Sequence, residues 1–229
     1  MTRTCTACHG SRVGNEYLGH NEEIPGDVHF RQGRMNCVSC HTGASLHTTP
    51  TEGTSHRYAG AQDPKCETCH AKVGASGDTV VQHVVHQGKL SCQVCHSVVY
   101  SNCEGCHVSI SKETNNAIYK VDKTYLGFFI GKNALKSADR PYEYVTVRHV
   151  PAAADNFAFY GENLQPNFNK LPTWAYATPH NIQRKTAQNE SCTTCHSKPD
   201  LFLTADKVAK NELEANKPVI VDKLPKALP

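Results

Sequence analysis

Residues 92–107 read Cys-Gln-Val-Cys-His, six further residues, then Cys-Glu-Gly-Cys-His. This doubled C-x-x-C-H stretch limits what the chain can fold into more than any other feature. In such a motif the two thiols add across the vinyl groups of one haem, and the histidine that follows becomes an axial ligand of its iron. Only residues 97–102 separate the two motifs, so two macrocycles attached there would stand in near contact. The same pattern recurs at Cys5-Cys8-His9, Cys37-Cys40-His41, Cys66-Cys69-His70 and Cys192-Cys195-His196. The six motifs therefore use all twelve cysteines. The full set of thioether positions is Cys5, Cys8, Cys37, Cys40, Cys66, Cys69, Cys92, Cys95, Cys103, Cys106, Cys192 and Cys195. The proximal imidazoles are His9, His41, His70, His96, His107 and His196.

Paired cysteines also build zinc ribbons, with four thiolates per metal, and disulfide frameworks. Neither requires a histidine after the second cysteine. Histidine fills 14 of 229 positions, so its presence at all six such places by chance has a probability on the order of one in ten million. The cofactor complement this predicts is six haem c groups.

A core built from side chains alone would be thin. Hydrophobic residues make up 38% of the chain and the mean hydropathy is −0.51, below the range of ordinary globular domains. Six macrocycles would supply the missing apolar surface, so side chains are expected to pack on porphyrin faces and the chain is expected not to fold without haem. The fold class this implies is mostly irregular, with short α-helices and a small β element, organised around packed haems. The formal charge of +3 falls once haem propionates are counted, and no run of Lys or Arg points to nucleic acid. No stretch of eighteen apolar residues is present, so no membrane span is expected. Covalent haem attachment takes place outside the cytoplasm, which predicts a periplasmic or extracellular, cell-surface location and makes Met1 a processed or truncated start.

Three segments follow from the motif positions. Residues 1–107 are haem-dense and hold motifs 1 to 5, with short helices ending at each motif. Within them, residues 14–34 are rich in Gly, Asn, Asp and Pro and predict loop with short helical turns. Residues 108–191 hold no motif but 12 of the 17 aromatic residues. Partial alternation over 117–130 and 142–147 predicts a small hairpin or sheet, and Pro151, Pro166, Pro172 and Pro179 divide the rest. Such a segment is expected to cover haem faces, with a lid or docking face as the alternative. Residues 192–229 hold motif 6, a helix over 203–216 with Thr204 as its cap, and a frayed tail from 217.

Six irons with two imidazoles each need six histidines beyond the motifs, and eight are present: His20, His29, His47, His56, His83, His86, His149 and His180. The candidates for distal ligation are His29, His47, His83, His86, His149 and His180. His29, His86 and His180 precede a motif by six to twelve residues, too close to fold back on its iron, so each is expected to serve a neighbouring haem. His83 and His86 are spaced to share one helical face. His149 and His180 would tie the aromatic segment to the haem array. His20 and His56 are expected at the surface or on propionates. Met35, two residues before Cys37, is badly placed as a sulfur ligand. Bis-histidine irons are low-spin and of low potential, a chemistry suited to electrons.

The six motifs, with Cys92-Gln-Val-Cys-His-Ser…Tyr100-Ser-Asn-Cys-Glu-Gly-Cys-His and Pro179-His-Asn-Ile-Gln-Arg…Ser191-Cys-Thr-Thr-Cys-His, resemble the multihaem c-type cytochromes of metal- and sulfur-metabolising bacteria and archaea over residues 5–196. Their spacing is similar to that of the octahaem tetrathionate reductase and hydroxylamine oxidoreductase group. Their density is similar to that of extracellular cytochromes that polymerise into conductive filaments. The resemblance implies electron transfer along a chain of haems, with redox proteins or copies of the chain itself, a homopolymer, as partners. Catalytic relatives keep one iron open or lysine-filled, often through a C-x-x-C-K motif, which this chain lacks. A reductase or oxidase of a small nitrogen or sulfur oxyanion stays open as the alternative.

Overall fold

A computed structural model describes residues 2–47, 64–104, 107–120, 123–151, 153–196 and 198–228. Two compact units divide the chain, Met1–Gln87 and Gly88–Pro229. The division falls between motifs 3 and 4, whereas composition alone divides the chain at 107 and 191.

In the first unit, α1 (Thr2–His9) carries motif 1 and runs through a π-turn (Gly10–Gly14) into α2 (Asn15–Leu18). Gly19 ends this run with φ 77°, and a Cβ there would collide with the backbone of Gly26, so only glycine allows the return. Asp27 caps α3 (Val28–Arg31), its Oδ1 accepting from the backbone N–H groups of His29 and Phe30. A capped 3-10 turn (Cys37–Ser39) starts motif 2 and α4 (Gly43–His47) follows it. Motif 3 lies on α5 (Cys66–Cys69), and α6 (Val81–His86) carries the two histidines that precede motif 4. Residues 14–34 are thus loop with short helical turns, as expected of them, the Gly19 turn and the Asp27 cap closing two four-residue helices.

No described apolar side chain of this unit is buried; its buried residues are Gly14, Glu16, Gly26 and Asp27. Val38, Leu46, Val73, Val80, Val81, Val84 and Val85 are exposed, from 38% at Val73 to 60% at Val81. The unit is held by caps, turns and the Arg12–Glu16 pair at 3.2 Å, a framework with little hydrophobic stabilisation of its own.

The second unit starts with α7 (Cys92–His96), which is motif 4. Strand β1 (Tyr100–Glu104) pairs antiparallel with β4 (Lys123–Gly127), and β2 (His107–Ile110) with β3 (Ala117–Lys120). The register is the same in both pairs, so they are two stretches of one long hairpin, turned at residues 111–116 where Ser111 N–H donates to Asn116 O at 2.9 Å. Motif 5 therefore starts on a hairpin arm and not on a helix. Strands β5 (Phe129–Lys132), β6 (Tyr144–His149) and β7 (Trp174–Tyr176) form a three-stranded antiparallel sheet in that order. The sheet separates two apolar clusters: Val94, Tyr100, Phe128, Ile130, Ala177, Phe202 and Val221 in one, Val145, Val147, Trp174, Leu203, Val208, Val219 and Ile220 in the other. Here the aromatic segment buries itself against the C-terminal part of the chain.

Motif 6 lies on α8 (Thr193–His196). The single helix expected over 203–216 is instead a 3-10 turn (Ala205–Lys207) and a separate α9 (Leu213–Asn216). The cause is sheet pairing: Leu203 N–H donates to Ile130 O at 2.9 Å and Val221 N–H to Leu203 O at 2.8 Å, which holds residue 203 extended. Thr204 makes no side-chain cap bond to the turn. Residues 217–221 are likewise not a frayed tail. Val219, Ile220 and Val221 are buried, Lys132 N–H donates to Val219 O at 2.8 Å, and Lys132 Nζ lies 2.8 Å from Asp222 Oδ1. Among the described residues no helix is long and apolar enough to cross a membrane.

Candidate haem-binding sites

The first, third, fourth and sixth motifs lie on helical turns, and the second on a 3-10 turn. The histidine N–H closes back on the first cysteine's carbonyl at 3.0 Å in motif 2, 2.9 Å in motif 3 and 3.1 Å in motif 6. Positions i, i+3 and i+4 of one turn share a face, so both sulfurs and the imidazole are presented together, as a covalently held, axially ligated macrocycle requires. None of the ten cysteines with described side chains is in a disulfide. Among the described residues no three His, Cys, Asp or Glu side chains converge as a zinc centre would need. Burial pushes the thiols of Cys37, Cys40 and Cys195 up, and with Cys195 nearby it pushes Cys95 up to about 11.

Histidines that ligate a metal usually donate their second ring N–H to a carbonyl or carboxylate, which fixes the tautomer and the ring direction. Five histidines have this partner on Nδ1. His96 meets Gln183 O at 3.0 Å, His196 meets Lys226 O at 2.9 Å and His86 meets Gln82 O at 3.0 Å. His29 meets Asp27 Oδ1 at 3.1 Å and His83 meets Asp78 Oδ2 at 3.0 Å. Each acceptor is an oxygen, so Nδ1 is the donor in each contact. Asp78 also accepts from Gly74 and Val80 N–H; these bonds, and then His83, hold its carboxyl below the usual value.

Two imidazole pairs stand close together in the first unit. The ring centroids of His9 and His47 are 6.3 Å apart, and those of His29 and His70 are 6.0 Å apart. Two imidazoles bound through nitrogen to opposite sides of one metal ion, with bonds of about 2.0 Å, hold their centroids about 6.2 Å apart. The interplanar angles of 35° and 68° are compatible, because each ring turns about its metal–nitrogen axis. Ring spacing, Nδ1 partners and exposed valines together fit c-type haem.

Motifs 4 and 6 lie a hundred positions apart in sequence and share one bracket. Residues 181–183 run beside 96–98, with Gln183 N–H donating to His96 O at 2.8 Å and Val98 N–H to Asn181 O at 3.2 Å. Thr186 Oγ1 and Asn189 Nδ2 donate to Cys95 O at 2.5 and 3.2 Å, and Gln188 Nε2 to Ser97 O at 2.6 Å. The chain then enters α8 directly, and Cys95 and Cys195 pack on the same apolar cluster.

His149 is arranged differently from the other candidates. Its Nε2 lies 2.8 Å from Glu212 Oε2, which also accepts from Thr173 Oγ1 at 2.8 Å, and its ring stacks on Trp174 at 4.7 Å. Its backbone N–H donates to Asn102 Oδ1 at 2.9 Å. His149 and Trp174 border a cavity of about 580 Å³ that Tyr125, Phe129 and Lys207 also line. Tyr125 is in register with Asn102, one position before Cys103, so this cavity adjoins the arm that carries motif 5. His180 follows β7 in the loop leading to the motif 4 bracket, and His20 is exposed in the turn after α2. His56 and Cys106 lie outside the described residues, and Cys103 and His107 are described by their backbone alone.

Asp27, Asp78, Glu212 and the Gln183 and Lys226 carbonyls are the partners that motif spacing did not reveal. Asp27 was legible as a helix cap two residues before a histidine; the carbonyls carry no sequence signal. Comparison with protein-family models, curated proteins and solved structures finds no match to this chain.

Proposed function

We propose that the chain is an extracytoplasmic multihaem c-type cytochrome that carries electrons along six covalently attached haems, predominantly bis-histidine ligated. The observation that supports this most is the two close imidazole couples, His9 with His47 and His29 with His70, whose ring centroids stand 6.3 and 6.0 Å apart, a separation at which both rings of a couple would reach one iron. Bound at the motifs, haem c supplies a one-electron iron centre at each site. The chain's own residues do the rest. Twelve thiols hold the groups in place, carbonyls and carboxylates on Nδ1 aim the imidazoles, and the brackets between motifs set spacing. Redox proteins or further copies of the chain, stacked as a filament, are the partners, at the periplasm or cell surface.

The test is EPR spectroscopy and potentiometry of the holoprotein made in a host that matures c-type cytochromes. Low-spin ferric signals and stepwise reversible reduction at low potential are expected. A high-spin iron that binds and turns over nitrite, hydroxylamine or tetrathionate would replace the carrier by the enzyme alternative.

A further inference from the structure

We infer that the segment carrying motif 2 is a strap that supplies the distal imidazole to the haems on both sides of it: His47 to the iron of His9 and His29 to the iron of His70. The inference rests on the haem reading and goes further, since it fixes which histidine serves which iron and the order of three motifs.

Three observations lead there. First, the two close ring pairs, at 6.3 and 6.0 Å, each join a motif histidine to a histidine of residues 27–47, one from each end of that segment. Second, both ends are held by local structure. Asp27 caps α3 and bonds His29 Nδ1, so cap and ring direction are set by one buried carboxylate. His47 is the last residue of α4, whose start is fixed by the reciprocal bonds of Thr42 and Ser45 at 3.0 and 3.2 Å. Third, the thiols of motif 2 have their neighbours on either side: Cys37 feels Cys5, while Cys40 feels Cys69 and Cys66. Thiol proximity and imidazole pairing are separate features and give the same order, motif 1 then 2 then 3. Motif 2 thus sits between the two haems that its own flanks ligate, and losing either flank would loosen a neighbour and not its own haem.

The experiment is spin counting by EPR on the matured holoprotein, with haem stoichiometry from intact mass. H29A and H47A each are expected to keep six haems and convert one iron from low-spin to high-spin, with low-spin signal restored by added imidazole; H20A is expected to convert none. Identity of the iron is read in a C66A/C69A background, which lacks the third haem. There H29A should add no high-spin iron while H47A still adds one. If that background is not recovered, H29A/H70A is compared with H29A/H9A: the first should perturb one iron, the second two. H29A or H47A remaining fully low-spin, or H29A adding a high-spin iron in the absence of the third haem, would overturn the strap. A native mass without six haems would instead overturn the reading beneath it.

Discussion

Asp27 shows how much one side chain can set. It is buried, caps α3 and bonds His29 Nδ1, so the same oxygen stabilises a helix start and sets the direction of an imidazole. D27A removes both functions and is expected to cost about 1 kcal/mol in cap energy. D27N keeps an acceptor for the backbone but removes the negative charge that makes the imidazole a stronger donor. The potential of one haem should therefore rise in D27N, as read by redox titration, while thermal stability changes less than in D27A; an unchanged potential would separate Asp27 from the iron. Asp78 makes a pH prediction. Its carboxyl is held below the ordinary value by the Gly74 and Val80 N–H groups and by His83. Its contribution is complete above the unfolded value near about 3.9 and is lost as pH falls through the depressed folded value. Protection of the amides across residues 73–83, taken relative to their intrinsic exchange at each pH, should thus be constant above that value and fall below it, and D78N should lower it at neutral pH.

At the scale of elements, the C-terminal segment is where sequence and structure part. Leu203 is fully buried between β5 and the 219–221 stretch, so L203A is expected to cost about 2–5 kcal/mol by leaving a cavity, with a lowered Tm in the second unit. Removing residues 217–229 should do more, since Val219, Ile220 and Val221 leave the core together. A tail that frayed would give no change. The strands over 117–130 and 142–147 were legible from alternating aromatic and β-branched residues. Their partners were not, because the arm over 100–110 is interrupted by the Cys103-Glu-Gly-Cys-His107 motif, whose cysteines and glycine break the alternation a strand would show. The helix over 203–216 was misread because its apolar spacing serves backbone pairing to Ile130 and Val221, a tertiary bond that a local pattern does not record. The motif turns themselves were legible because each is closed by residues inside it.

For the whole molecule, the two units differ in what holds them. The second has two apolar clusters of its own, while the described part of the first buries no apolar side chain. Sequence composition alone predicted a chain that does not fold without haem; on the proposed haem reading, the thin burial of the first unit predicts that this dependence falls chiefly on residues 1–87. In the haem-free chain, amides of residues 2–47 and 64–87 should exchange at near unfolded rates while the strands of the second unit keep protection. The most direct test of the account is intact-mass and peptide mass spectrometry of the protein produced with haem maturation. Six added haem masses, one on each C-x-x-C-H peptide, are predicted. A chain carrying none of them, or zinc held by its thiolates, would contradict it.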